Sequence, residues 1–293
     1  MRVAFLGLGI MGSRMAAQLL QAGHELNLWT RTDGKAAAWA AENGGTALAT
    51  PAQAASGADV VISMVVDGPQ VREILLGPGG AAEQASAGTL FADMSTIAPG
   101  AAVAISAELA ELGHQFVDAP VTGSSPAAET GTLTIMVGGD AGDADRAQPL
   151  FEAMGRTIVR CGPVGHGQLV KLINNAVAVA NASTAAQALV AGRAVGADLD
   201  ALVSVMNAGS GGSAILALKA APFMNHDYTT LFKTDHMLKD VRHCLDAVAA
   251  CGATFAAAQD AATLLAETVE LGFGDADYAA ILEVIEARNG IRL

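Results

Sequence analysis

The chain has 293 residues, enough for two domains of ordinary size, and 52% of them are apolar while only 4% are aromatic. Its formal charge of −13, with no basic stripe along it, excludes a nucleic-acid-binding surface, which needs clustered lysine and arginine against phosphate. The three cysteines, Cys161, Cys244 and Cys251, form no CxxC pair, so neither a disulfide framework nor a zinc knuckle is expected, and a reducing cytoplasm fits.

The first apolar run, 3–6, follows Arg2 as a secretory leader would, but Gly7, Gly9 and Gly12 break it and no small-residue cleavage site follows, so it reads as a strand. Runs at 26–29, 60–64 and 89–92 then alternate with alanine-rich helical segments, and further strands are expected at 115–118, 132–137 and 157–160. The densest cluster of breakers, 161–167, marks a boundary, because strand signals vanish beyond it. A long helix is expected over 168–195, followed by helices over 200–207, 236–251, 254–271 and 277–287. The expected architecture is α/β: a Rossmann-type doubly wound parallel sheet in residues 1–163, then an all-α C-terminal domain, 164–293, entered through a long interdomain helix. The uncharged stretch between Lys171 and Arg193 could span a bilayer in length, yet Asn174, Asn175, Asn181 and Gln187 would be costly there, so it reads as a buried helix and not a membrane segment. The sequon at Asn181 has no meaning inside such a helix of a cytoplasmic protein. Apolar surface left on the long helix predicts self-association into a homodimer or homotetramer.

Three features carry chemistry. Gly7-Leu8-Gly9-Ile10-Met11-Gly12 follows the first strand and opens a helix, with a second strand in register after it. The first glycine permits the tight turn, the second lets backbone approach a pyrophosphate, and the third lets helix and strand pack closely, which predicts a dinucleotide site. At the end of the second strand, where an NAD site carries an acidic residue, the chain has Thr30-Arg31-Thr32; an arginine between hydroxyls suits the 2′-phosphate of NADP, so NADP(H) is expected over NAD(H). The other readings of Arg31 are a solvated loop residue or an adenine-stacking one. Lys171 is the only cation between Arg160 and Arg193, with Asn175 one helical turn later. A lysine in apolar surroundings loses hydration, which favours proton transfer near neutral pH, although a helix-start lysine reaching out to solvent gives the same pattern.

Four blocks in order resemble the β-hydroxyacid dehydrogenase family, which includes 3-hydroxyisobutyrate dehydrogenase, tartronate semialdehyde reductase and the glyoxylate/succinic semialdehyde reductases. They are GLGIMGSRMAAQLLQAGH from Gly7, DAPVTGSSPAAETGTLTIMVGG from Asp118, GHGQLVKLINN from Gly165, and 232–240, which closes on Lys239 and Asp240. The resemblance implies an NAD(P)-dependent enzyme that interconverts a small β-hydroxy acid and its semialdehyde or keto acid. It implies that Lys171 is the catalytic lysine, that Asn175 contacts substrate, and that Thr122, Gly123 and Ser124 form the loop holding the substrate carboxylate. Met64, Val65 and Val66 then match the loop over the cofactor, with Val66 in place of a common proline. Asp93-Met94-Ser95-Thr96 matches the turn beside the nicotinamide ribose, Lys239 a lysine near the cofactor, and Phe232 an aromatic lining the pocket. The family's usual Ser-Gly-Gly is Thr122-Gly123-Ser124 here, so a side chain stands where a glycine let substrate approach.

Two rival readings share the glycine turn. An imine reductase has the same two-domain plan but usually lacks the lysine and asparagine, and a non-catalytic NADP sensor would not need a proton-transfer group. His236, Asp240 and His243 have a spacing that could ligate a metal, but Asp240 is accounted for by the family's Lys-Asp pair, and no metal is expected.

Overall fold

The computed structural model describes residues 1–293 and divides into two compact units, Met1–Lys171 and Leu172–Leu293. The first unit is built on nine strands: β1 (Arg2–Leu6), β2 (Glu25–Trp29), β3 (Thr46–Ala47), β4 (Val60–Ser63), β5 (Leu90–Asp93), β6 (Gln115–Asp118), β7 (Val121–Thr122), β8 (Leu133–Gly138) and β9 (Gly155–Gly162). They form one sheet in the order β3-β2-β1-β4-β5-β6-β8-β7, with β9 pairing β8. Seven helices connect them: α1 (Ile10–Gln21), α2 (Lys35–Asn43), α3 (Pro51–Ala55), α4 (Gly68–Leu76), α5 (Pro99–Glu111), α6 (Ser124–Glu129) and α7 (Ala141–Met154).

The central strands read as unbroken apolar runs because both faces are covered. In β1, Val3 and Phe5 join one core with Val60, Ile62, Leu19 and Phe151, while Ala4 and Leu6 join a second core with Val61, Phe91, Val71 and Leu109. This is the period-two alternation of a strand, with a helical layer on each side. β1 pairs in parallel with β2 on one side and β4 on the other, so the chain reverses its direction of travel across the sheet at β1. Crevices at such switch points lie outside the strands' C-terminal ends.

From β3 to β6 the sheet is parallel, as expected, but β8 pairs antiparallel with β6 and β7, and β9 runs parallel to β8. A parallel return would need a crossover of a dozen or more residues between strands. Between β7 and β8 the chain has little more than the six-residue α6, so it folds straight back and leaves the 122–124 loop at the C-terminal end of β6.

The second unit contains no strand. Helix α8 (His166–Ala194) enters it from the first, followed by α9 (Leu199–Ala208), α10 (Ala214–Asn225), α11 (Thr234–Ala250), α12 (Ala256–Thr268) and α13 (Ile281–Asn289). On α8, Leu172, Ala176, Val179, Ala186 and Leu189 form a buried stripe at helical spacing, and its core partners include Phe223, Val241, Leu265 and Ile281. No helix is long and apolar enough to cross a membrane. α10 begins where Ser213 accepts from Leu216 N–H at 3.0 Å, a cap that sequence reading passed over.

An ion pair is buried within this unit. Lys219 Nζ lies 2.6 Å from Asp277 Oδ1, with both side chains 2% exposed, and 4.6 Å over the Tyr278 ring. Asp277 Oδ1 also accepts from Ala279 N–H (2.9 Å), and Oδ2 accepts from the N–H groups of Leu231 (3.0 Å) and Phe232 (3.1 Å). One carboxylate thus ties α10 to the segment that leads into α11. Lys219→Met should destabilise the chain by about 3–5 kcal/mol, because it leaves a buried carboxylate without its counter-ion. Urea denaturation checks this, and a loss under about 1 kcal/mol would contradict it.

Candidate functional site

The three glycines of the first turn differ in what surrounds them. Gly7 has φ +113°, its N–H donates to Trp29 O at 2.8 Å, and a Cβ on it would strike the Met64 carbonyl oxygen. Gly12 is buried in α1, and a Cβ there would overlap the Gly7 carbonyl and come within 3.2 Å of Phe5. Gly9 is exposed, and nothing lies within 4 Å of where its Cβ would be. Gly7 and Gly12 therefore fit protein against protein, while Gly9 leaves open space at the N-terminus of α1, where no side chain caps the free N–H groups. A pyrophosphate fits this arrangement.

Around the turn, Leu8 is buried and its N–H reaches Thr30 Oγ1 at 3.4 Å, Ile10 is 53% exposed, and Met11 is half-buried. Arg31 and Thr32 are exposed just past β2. Gly9→Ala should weaken dinucleotide affinity at least about 10-fold while changing stability by less than about 0.5 kcal/mol. Gly12→Ala should instead cost on the order of 2–4 kcal/mol through backbone overlap. Cofactor titration and thermal melts separate the two, and identical behaviour of both variants would contradict the assignment.

A buried polar network joins the C-terminal ends of β4, β5 and β6. Ser63 and Asp93 are partners in register, and Ser63 Oγ donates to Asp93 Oδ1 at 2.8 Å. The Ser95 N–H donates to the same oxygen at 3.2 Å, and Val65 N–H donates to Ser95 Oγ at 2.9 Å. Met64 and Val65 are half-buried, Val66 is 40% exposed, and Thr96 is half-buried. Asp118, at the end of β6, accepts from Gly165 N–H (2.7 Å) and Gln168 N–H (2.8 Å), so it caps the start of α8 from a distant strand. Burial raises the Asp118 carboxyl above its ordinary pKa. Gln168 accepts from Ile97 N–H (3.0 Å) and donates to Ser95 O (2.9 Å). Ser63, Asp118 and Gln168 were not singled out from sequence as site residues. The signal available for the first two was a polar residue closing an apolar strand.

Asp93 is fully buried, its Oδ2 has no hydrogen-bond partner, and desolvation pushes its carboxyl up to about 6. The folded state therefore holds this proton more tightly than the unfolded chain, whose carboxyl titrates near 3.8. The stability it contributes is complete below that lower value and is lost as pH rises through 6. The stability of the wild type relative to Asp93→Asn should thus fall as pH is raised from about 4 to about 7. Paired melts across that range measure the difference, and a flat or rising one would contradict the reading.

Thr122 pairs with Thr134 across β7 and β8. Gly123 has φ +128°, and a Cβ on it would lie 2.6 Å from that of Ala127. Ser124, which opens α6, has φ +57°, the left-handed region that disfavours a side chain. The far end of α6 is held to α1: Arg14 Nε donates to Glu129 Oε1 at 3.2 Å and Gln18 Nε2 to Glu129 O at 2.7 Å.

Lys171, in the second turn of α8, is 6% exposed. Asn175, one turn on, is 4% exposed and donates through Nδ2 to Asp240 Oδ2 at 2.8 Å. Lys239 Nζ lies 3.2 Å from Asp240 Oδ1, so Asp240 joins two of the residues expected at the site; its bond to Asn175 is the part that sequence did not reveal. Phe232 and His236 meet edge to face with centroids 6.2 Å apart. Burial lowers the His236 pKa. The carboxylate of Asp240 is thus directed to Asn175 and Lys239, and the residues whose ligand-type atoms do converge are His226, Glu283 and Glu286. There Arg292 NH1 bridges the two glutamates at 3.0 and 2.8 Å, and Tyr228 OH donates to Glu283 at 2.6 Å.

Two family models cover nearly the whole chain. That of the NAD binding domain of 6-phosphogluconate dehydrogenase matches residues 2–162, and that of the NAD-binding of NADP-dependent 3-hydroxyisobutyrate dehydrogenase matches residues 165–285. The chain is 35% identical to the NAD-dependent L-serine dehydrogenase of Pseudomonas aeruginosa, over 99% of each protein. It is 33% identical to the 3-sulfolactaldehyde reductase of Escherichia coli, over 99% of this chain and 97% of that one. Among solved structures, 3-hydroxyisobutyrate dehydrogenase of Mycobacterium tuberculosis with L-serine superimposes with a TM-score of 0.88 at 33% identity, over 97% of this chain and 98% of that one.

Proposed function

The chain belongs to the β-hydroxyacid dehydrogenase family of NAD(P)-dependent oxidoreductases, and from that premise we propose that it interconverts a small anionic β-hydroxy acid and its semialdehyde or keto acid, with NADP(H) preferred. The observation that carries this reading is Lys171, a buried cation one helical turn before an asparagine that Asp240 holds in place.

When bound, the nicotinamide supplies or accepts a hydride at the substrate carbon. The rest of the chemistry falls to the chain. As a carbonyl is reduced, negative charge develops on its oxygen, and Lys171 donates a proton there; in the oxidative direction it takes that proton back. Asn175 is held through its Nδ2 by Asp240, and its carbonyl oxygen, which meets Asn174 Nδ2 at 3.4 Å, is the acceptor it offers to a substrate hydroxyl. Thr122, Gly123 and Ser124 hold the substrate's anionic group. The turn Gly7, Leu8, Gly9, Ile10, Met11 and Gly12 would receive the pyrophosphate at Gly9 and the start of α1, with Gly7, Leu8 and Gly12 shaping the turn, and Met64, Val65, Val66, Ser95 and Thr96 of the same unit would line the rest of the dinucleotide. The domain from residue 164 onward serves substrate binding and self-association, through the α8 face on which Val170, Ile173 and Val177 are 42–45% exposed. The three free cysteines suit a reducing compartment such as the cytoplasm.

Two supports favour NADP: the Thr30-Arg31-Thr32 sequence, and the NADP-dependent enzymes described by the second family model. Arg31→Asp should lower the ratio of kcat/KM for NADP(H) over NAD(H) by about 10–100-fold, since it exchanges a phosphate clamp for a hydroxyl acceptor. An unchanged ratio would show that Arg31 is not the discriminating group.

The test of the function itself is NADPH consumption against semialdehydes, keto acids and cyclic imines. Turnover of a small carboxylated semialdehyde or keto acid is expected; turnover of imines alone, or tight NADPH binding with no turnover, would overturn the proposal. Lys171→Ala should lower kcat by about 10²–10⁴-fold with the Kd for NADPH within about 3-fold of wild type. Retained turnover would remove Lys171 from the mechanism.

A further inference from the structure

Gln168 is wholly buried, and no step proposed above uses it. Its carboxamide sits between two backbone groups of one turn, accepting from Ile97 N–H at 3.0 Å and donating to Ser95 O at 2.9 Å. Its own N–H is bound by Asp118 Oδ2 at 2.8 Å. The turn it grips is fixed from the other side, where Ser95 N–H meets Asp93 at 3.2 Å and Ser95 Oγ accepts from Val65 N–H at 2.9 Å. Gln168 precedes Lys171 by three residues on α8, so both project from nearly the same face of that helix.

We propose that Gln168 is a positioning residue, whose carboxamide couples the 95–97 turn to the opening turns of α8 and so sets Lys171 in register with the cofactor-facing turn. This inference rests on Lys171 as proton donor and on Ser95 and Thr96 as cofactor neighbours.

The chemistry of the grip is specific. One backbone group is a donor and the other an acceptor, so the bridging side chain must accept at one atom and donate at the other. A carboxamide does this at every pH. An ionised carboxylate would set an oxygen anion against the Ser95 carbonyl, whereas a protonated carboxyl again offers one donor and one acceptor. An aliphatic side chain offers neither and leaves two buried backbone groups unsatisfied.

The experiment therefore compares Gln168→Glu and Gln168→Leu with wild type, using two readouts. The first is amide hydrogen exchange of the cofactor-free protein over residues 93–98. The second is kcat with whichever carbonyl compound of the panel the wild type reduces fastest. Exchange over 93–98 should rise at least about 10-fold in Gln168→Leu, with α11 and α12 unchanged. For Gln168→Glu, kcat relative to wild type at the same pH should be at least about 10-fold low near pH 8.5 and recover as pH falls toward 6. Gln168→Leu should show no such recovery.

Unchanged exchange over 93–98, or a Gln168→Glu profile that parallels wild type, would overturn the coupling. If Lys171→Ala proved active, the functional reading would fail separately, and exchange in the cofactor-free protein would still decide whether the grip exists.

Discussion

A single buried carboxylate determines where the long helix begins. Asp118 is fully buried, and burial raises its pKa; two backbone N–H groups at the start of α8, 2.7 and 2.8 Å away, are what make its position tolerable. The fit is close enough that a Cβ at Gly138 would lie 2.5 Å from one carboxylate oxygen, and one at Gly167 would lie 2.8 Å from the other. Because a helix is rigid over a few turns, fixing its first N–H groups also fixes the direction in which Lys171 projects. The end of β6, the turn after β5 and the start of α8 are thereby one polar assembly inside the first unit.

The parts legible in sequence were those governed by local rules. The buried parallel strands declared themselves as apolar runs, and β6 has the bounds that its run implied, 115–118. The glycine turn was legible because each glycine answers a short-range steric demand, and the surroundings of Gly7, Gly9 and Gly12 differ in the way their spacing suggested. The long helix, uncharged between Lys171 and Arg193, was legible for the same reason, its apolar stripe being written at helical spacing.

What sequence did not reveal depends on distant partners. β3 and β7 are two residues each and exist only through pairing with β2 and β8. The reversal of β8 follows from the shortness of α6, which carries no signal of strand direction. Gln168 reads as an ordinary helix residue until Ile97 and Ser95 are brought to it across 71 and 73 positions of sequence. The left-handed backbone of Ser124 is not announced by serine itself; the one notice of it was the glycine that the family usually has at that place. Net charge was no guide to the interior either: this acidic chain buries two lysines, Lys171 and Lys219, each where local structure and not overall balance admits it.

Because the odd and even residues of β1 serve two separate cores, the strand is out of phase with itself under any change of length. A single inserted residue would exchange Val3 and Phe5 for Ala4 and Leu6, sending large side chains into a space shaped for small ones. It would also move the glycine turn by one strand residue, about 3.3 Å, past the Met64 carbonyl against which Gly7 is fitted. Substitutions in β1 can be absorbed one methyl group at a time, but insertions and deletions cannot. Descendants of this sequence are therefore free to vary in length only where no strand phase has to be kept, as in the turns far from the C-terminal edge of the sheet.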